Sequence, residues 1–288
     1  MTNPARTEVK AIPLREPLKT LTLGSRWLSE GDSRFDATAY EAGAFAALDA
    51  IERCGVLSSP LSICVGGIQH PTQNQPRSNF KRIWVRDIVH GFPFVSGRQL
   101  LHFRLPRERF VSRSVPKMAE LRVPVNSILL SRSGTIGIPI FVGRRLSEYS
   151  VTDDALRISP GEIPMGYIYA YLASASGYAL LTKGAYGATV DHLEPKHLAP
   201  LPVPIADESV QKAIHDKIVR AYSLRDKAND LLDQADEMLH RALGVEHFTE
   251  EDVEYLGPAE QPKAFVISSR ELGTRFDATR HVPVQEAQ

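Results

Sequence analysis

Glu194-Pro195-Lys196 is the closest approach to a reaction centre in this sequence. A Mg2+-dependent nuclease holds its metal through an aspartate followed further on by Glu-x-Lys, and these residues supply the second half of that pattern. Asp191 lies too near to supply the first half, which leaves Asp153 or Asp154. A surface turn ahead of a Pro-rich strand is the plainer expectation for Glu194. His192 and His197 stand five residues apart, a poor spacing for a shared metal ion. Cys54 and Cys64 are the only cysteines. They suit neither a disulfide framework nor a structural zinc site, and two buried thiols in a reducing compartment are expected. Nucleotide-binding GxxxxGK[ST] and metalloprotease HExxH patterns are both absent. So is any Pro-Pro pair, which the catalytic motif of an adenine methyltransferase would need. No catalytic residue and no metal site is assigned.

What remains is a vocabulary of binding. FKRIWVRDIVHGFPFVSGRQL presents Lys81, Arg82, Arg86, Arg98 and Gln99 around aromatic residues. LLSRSGTIGIPIFVG sets Ser131, Arg132, Ser133 and Thr135 between two apolar runs, with glycines that let a ligand approach the backbone. YGATVDHLEP places Tyr186, Thr189 and His192 in a similar setting. Guanidiniums, hydroxyls and amides on loops make phosphate and base-edge contacts.

Charge distribution points the same way. The whole chain is neutral, with 34 basic and 34 acidic residues. Between Arg77 and Arg145, however, fourteen Lys and Arg face only Asp87, Glu108 and Glu120, a local excess of eleven. Between Val245 and Lys263 six acids face one Lys. A basic middle is the footprint of a polyanionic partner. Arg dominates it, including the pair Arg144-Arg145, and Arg forks suit phosphates and guanine edges.

These loops need a scaffold. Leu121–Leu130, Ile136–Val142 and Ala155–Ile158 read as short strands, with turns at Gly134, Gly143 and Pro160. Ile168–Leu181 reads as a helix interrupted at Gly177. Pro200, Pro202 and Pro204 keep the following approach extended. Asp207 then caps a helix that runs to about Leu243, with Gly244 as its stop. Within it, Val210, Ile214, Lys217, Ala221, Leu224, Ala228, Leu231, Ala235, Met238 and Ala242 alternate spacings of four and three. That is a heptad seam, on a rod of roughly 55 Å. A rod this long needs a partner helix; the competing expectation is an amphipathic helix lying on its own domain.

Two further features bound the organisation. Arg34-Phe35-Asp36-Ala37-Thr38 recurs as Arg275-Phe276-Asp277-Ala278-Thr279, and Ser-Arg precedes both copies. The chain therefore begins and ends with one unit, as in a two-fold or circular array. With 288 residues, 43% of them apolar, it can bury a real core. It has neither an apolar leader nor an apolar run of membrane-spanning length, so a cytoplasmic protein without membrane contact is expected.

GFPFVSGRQLL, ILLSRSGTIG, GYIYAYLASASG and YGATVDHLEPKHLAPLPVPIADESVQKAI, followed by the heptad helix, resemble type I restriction–modification specificity subunits. The resemblance runs from about Arg26 to the C-terminus. It implies an α/β (α+β) target-recognition domain followed by a long coiled-coil helix. The chain divides accordingly into an N-terminal arm (1–22), a first repeat copy (23–45), a recognition domain (46–205), a spacer and dimerisation helix (206–244) and a segment with the second copy (245–288). It also implies a non-catalytic chain that reads double-stranded DNA. Lys81, Arg82, Arg86, Arg98, Ser131, Arg132, Ser133, Thr135, Tyr186, Thr189 and His192 are its candidate contacts. DNA methyltransferase subunits would be its partners, and a restriction subunit could join them. The chain itself would hold no cofactor; S-adenosylmethionine would be carried by the methyltransferase. Most members carry two recognition domains, whereas this sequence holds one. Homodimerisation through Ile214, Ala221, Leu224, Ala228, Leu231, Ala235 and Met238 would restore a pair and read a gapped palindrome. A metal-dependent nuclease using Glu194 and Lys196, or a coiled-coil adaptor, are the alternatives.

Overall fold

The computed structural model describes residues 42–72, 76–107, 109–133, 136–183 and 193–244. Both copies of the Arg-Phe-Asp-Ala-Thr repeat lie outside them.

Strand β2 (Gly67–Gln69), β6 (Ile128–Ser131), β7 (Pro139–Phe141) and β9 (Ala155–Ser159) form an antiparallel sheet of order β2-β9-β6-β7. It is buried on both faces, because alternate residues supply two cores. Ile128, Leu130, Phe141, Leu156 and Ile158 face one core. Leu129, Ile140, Val142 and Ala155 face the other. Register keeps these sets together: Ile128 lies opposite both Ile158 and Phe141.

The first core is closed by helices. Helix α1 (Ala42–Arg53) contributes Ala44 and Ala47, α2 is the single turn Leu61–Cys64, and α5 (Met165–Leu172) and α6 (Ala175–Lys183) contribute Ile168, Leu172, Leu180 and Leu181. A two-stranded ribbon of β1 (Ser58–Pro60) and β10 (Pro202–Pro204) closes its edge. The single helix expected over Ile168–Leu181 is thus two helices. The break falls at Ala173-Ser174, where the Ser174 hydroxyl accepts the Gly177 N–H at 3.1 Å and caps α6. Gly177 is needed there because a Cβ would lie 2.1 Å from the Tyr171 carbonyl oxygen.

The second sheet has the order β3-β5-β4-β8, with β3 (Trp84–Val85), β4 (Gly91–Val95), β5 (Phe110–Ser112) and β8 (Ser150–Val151). Its own small core holds Phe80, Phe94, Val111, Val115, Met118 and Leu121. The expected strand Leu121–Leu130 is corrected: Leu121 ends the short helix α3 (Met118–Leu121), and pairing in the sheet starts only at Ile128. Pro124 removes a donor, and Asn126 adopts a positive φ of 64° in the intervening turn. The thiol expectation is also corrected. Cys64 is buried, but Cys54 is exposed just beyond α1.

A single-turn helix α4 (Arg144–Ser147) and another, α7 (Pro195–Leu198), precede the long helix α8 (Glu208–Leu243). Its limits are those the sequence predicts, and Gly244 ends it in the left-handed conformation at φ 65°. Asp207 occupies the cap position, yet its side chain makes no capping bond. At 36 residues α8 is about 54 Å long. Its first half packs on the helical core through Ile214, Ile218 and Tyr222. The approach is close at Gly166, where a Cβ would meet the His215 backbone at 2.8 Å and where the Gly166 N–H donates to His215 Nδ1 at 3.0 Å. The described residues thus form a mixed α/β region followed by a long helix.

Candidate nucleic-acid interface

On the second sheet, cross-strand pairing puts Trp84, Val111 and Phe92 in one row. Side chains two residues along a strand share a face, so Arg109, Arg113 and Phe94 join them. The outcome is a set of arginines stacked on rings. Arg109 lies 4.0 Å from the Trp84 centroid, and Arg113 and Arg122 lie 4.2 and 4.4 Å from Phe92. Arg82 lies 4.9 Å from Phe94, which meets Trp84 edge-on at 5.3 Å. Stacking holds each guanidinium plane in place, and Arg122 also donates to the Ser147 carbonyl at 2.9 Å.

The turn between β8 and β9 carries two acids that organise the neighbouring loops. Arg157 on β9, almost wholly buried, pins this turn by donating to the carbonyls of Ala155, Thr152 and Val151 at 2.7, 3.2 and 3.4 Å. Burial pushes its pKa down to about 10, so it remains a cation at neutral pH. Asp153 then accepts from Arg82 at 2.5 Å. Asp154 accepts from the Ser133 hydroxyl and lies 3.6 Å from Arg132. Arg132 is also 3.9 Å from Glu194, which caps α7 together with His197 and pairs with Lys196 at 3.1 Å. The two carboxylates that a nuclease would aim at Mg2+ are therefore held against a guanidinium. Ser131 is turned inward, donating to the Ser133 carbonyl at 2.7 Å. Nearby His70 has its pKa lowered, first by burial and then by the Arg132 charge.

The candidate contacts thus divide. Lys81 and Arg98 are exposed. Gln99 is committed to a turn, its Oε1 accepting from the Ser96 N–H and hydroxyl at 3.0 and 2.8 Å. Arg86 is exposed beside the crossover loop that leads to β4. Arg82, Ser131, Arg132 and Ser133 are brought together around Asp153 and Asp154, but as a mutually satisfied cluster. Thr135, Tyr186, Thr189 and His192 lie outside the described residues.

Much of the local basic excess is used internally. Arg145 donates to Asp230 and Asp233 on α8, each at 2.6 Å, and Arg144 donates to Asp230 at 2.6 Å. Arg104 reaches Asp233 at 2.9 Å and Asp236 at 3.3 Å. The expectation that Arg144-Arg145 serves phosphate is corrected: α8 brings its own row of acids to that pair. Among the described residues, Lys81, Arg98, Arg109, Arg113 and Arg122 have no carboxylate partner. Arg109, Arg113 and Arg122 were missed by the sequence reading. The signal was the alternation Arg109-x-Val111-x-Arg113, a strand face with basic flanks.

Helix α8 has two apolar sides. Ile214, expected in a free seam, is instead taken up by the chain's own core. Leu224, Leu231 and Met238 are each more than half exposed, and Ala221 and Ala235 lie exposed along the same line. Ala228 is half-buried. Leu239 and Leu243 extend the exposed apolar surface toward the end of the helix. No helix among the described residues is long and apolar enough to cross a membrane.

A basic, loop-rich α/β unit with an acid-clamped helical arm is the class that fold and surface define. No protein-family model matches the sequence. No curated protein matches it either. Among solved structures, the chain is similar to one described for complex assembly and conformational transition of the type I R-M system, at 13% identity and a TM-score of 0.42, covering 75% of this chain and 56% of that one. It is similar to the HsdS subunit from Thermoanaerobacter tengcongensis at 14% identity and a TM-score of 0.39, covering 81% and 56%. It is also similar to the type I restriction-modification system S subunit from M. genitalium at 12% identity and a TM-score of 0.33, covering 65% and 44%. The chain spans little more than half the length of the first two. The S subunits among these neighbours are of the family whose motifs the sequence resembles.

Proposed function

We propose that this chain is a non-catalytic, sequence-specific DNA-recognition subunit that directs a DNA methyltransferase to a bipartite site, acting as a homodimer. The carrying observation is the set of five cations without carboxylate partners, Lys81, Arg98, Arg109, Arg113 and Arg122, on or beside one sheet. Cations that no carboxylate of the protein answers keep a net charge that can neutralise phosphates and release counterions. Base edges would be read by loop side chains next to them. The exposed line Leu224, Leu231 and Met238 supports pairing of two α8 helices, which would set the spacing between two readers. S-adenosylmethionine and base flipping would belong to the methyltransferase, and a restriction subunit could join the same complex.

Anisotropy titrations of the full chain on a duplex, at a series of salt concentrations, test the reading. Lys81→Ala and Arg98→Ala are each expected to reduce the log–log salt slope by about one, with no change in melting temperature. Arg82→Ala and Arg132→Ala are expected to lower the melting temperature as well, because Asp153 and Asp154 lose their cation. Salt slopes that stay at the wild-type value in both exposed variants would sink the phosphate assignment.

Dimerisation is tested by light scattering. The wild-type chain is expected at twice its 31.9 kDa mass. Leu224→Glu/Leu231→Glu is expected at the monomer mass with unchanged helix content, because both side chains are exposed within one chain. A wild-type monomer at every concentration would overturn this part of the reading.

A further inference from the structure

Residues 86–90 cross from the end of β3 to the start of β4, and they present apolar side chains outward. Ile88 is 52% exposed and Val89 72% exposed. Neither belongs to any of the three buried cores.

The loop holds them in a fixed shape. Asp87 Oδ1 accepts from the Val89 N–H at 2.9 Å, the His90 N–H at 3.0 Å and the His90 ring at 2.8 Å. The Arg113 guanidinium donates to the Ile88 carbonyl at 3.1 Å and the Val89 carbonyl at 3.4 Å. Two further backbone bonds, Gly91 to Asp87 and Arg113 to His90, close its base. A surface loop whose carbonyls and N–H groups are this fully engaged does not owe its apolar exposure to slack.

Its surroundings are cationic. Arg113 and Arg122 stack on Phe92 just behind the loop, and Arg86 adjoins it. The only acid in the loop, Asp87, is occupied by its own turn. Two β-branched side chains are far too small for a stable protein interface, which needs about 800 Å² per partner. Short apolar side chains in a basic ring suit a base step, where aliphatic wedges part stacked pairs while neighbouring cations hold the phosphates.

We propose that Ile88 and Val89 form an apolar wedge that enters the DNA duplex between adjacent base pairs and bends it, braced by Arg86, Arg113 and Arg122 on the backbone. This rests on the DNA-recognition reading above and adds to it a mode of engagement. Pyrimidine–purine steps, which unstack most readily, are the preferred insertion points.

The test uses the full chain and a duplex of about 30 base pairs that the chain itself selects from a random pool. 2-Aminopurine placed at successive positions reports unstacking, and energy transfer between dyes at the two ends reports bending. The wild-type complex is expected to brighten at one step in each half-site and to bend by roughly 20–90°. Ile88→Ser/Val89→Ser is expected to lose both signals, with its melting temperature and salt slope unchanged. A wild-type complex that is bound but dark and straight at every position overturns the wedge and leaves DNA recognition standing. So does a double variant that keeps both signals. Failure to select or bind any duplex overturns the recognition reading, and the wedge with it. If the wild-type chain binds vesicles of anionic phospholipid, the double variant does not, and the DNA stays dark, the loop is a membrane contact and the wedge is wrong.

Discussion

Arg145→Ala is expected to loosen α8 from the rest of the fold and to lower stability by about 3 kcal/mol. Arg145 is only 7% exposed as a side chain, yet it carries a charge. Asp230 and Asp233 neutralise it at 2.6 Å each, and Asp226 accepts its backbone N–H at 3.3 Å. Removing the guanidinium leaves Asp233 with Arg104 and Asp230 with Arg144, both through more exposed side chains. It also removes the aliphatic stem, which lines a small pocket with Leu100, Leu105 and Leu146 under the helix. The melting temperature should fall by roughly 10 °C for a chain of this size, and α8 should become the first site of proteolytic cleavage. Acid should reproduce the effect. Asp230 titrates below its ordinary value because Arg145 and Arg144 donate to it. Asp233 does so although burial pushes it up, because Arg145 and Arg104 outweigh that burial. Depressed carboxyl pKa values contribute stability above the unfolded value of about 4 and lose it as pH falls through the folded values. Wild type and Arg145→Ala should therefore differ most near neutrality, and the share of the difference due to these charges should shrink as pH falls below about 4, leaving the loss of the buried stem. Equal proteolysis and melting at pH 7 would contradict the clamp.

Phe141→Ala is expected to cost about 4 kcal/mol. Phe141 is fully buried at the end of β7, and the joint between sheet and helices is built around it. Tyr169 of α5 and Tyr222 of α8 meet its ring at 5.7 and 5.2 Å. Its N–H donates to the Tyr222 hydroxyl at 3.3 Å, and that hydroxyl donates to Tyr169 at 2.9 Å. Truncation leaves a cavity shared by three elements, and none can collapse into it without leaving its other partners. Chemical denaturation should show a lower midpoint with an unchanged slope. Tyr222→Phe gives the scale for comparison: it removes only the hydroxyl and should cost about 1 kcal/mol. A Phe141→Ala loss no larger than that of Tyr222→Phe would show that the ring is not the joint.

The sequence by itself determined those features whose signals are local. The limits of α8 follow from the prolines and Asp207 before it, and from a glycine that ends it by taking the left-handed conformation itself. Strand β9 follows from a short apolar run bounded by turn residues. The mixed α/β character and the exposed part of the seam, Leu224 through Met238, were legible for the same reason. The basic middle of the chain was legible as a count.

Tertiary structure decided how those charges and faces were used. Arg144, Arg145 and Arg104 read as cations available for a polyanion, but acids more than 80 residues further on claim them once α8 lies across the sheet. Arg132 and Arg82 were chosen as contacts, and Asp154, Glu194 and Asp153 claim them in turn. Arg109, Arg113 and Arg122 passed unnoticed because their rings come from other strands. Ile214 belonged to the heptad by spacing and to the core by position. Periodicity records only that a side chain is apolar. Which neighbour buries it, or which charge answers it, depends on where distant segments meet, and strand pairing and helix docking fix that meeting over separations no local pattern spans.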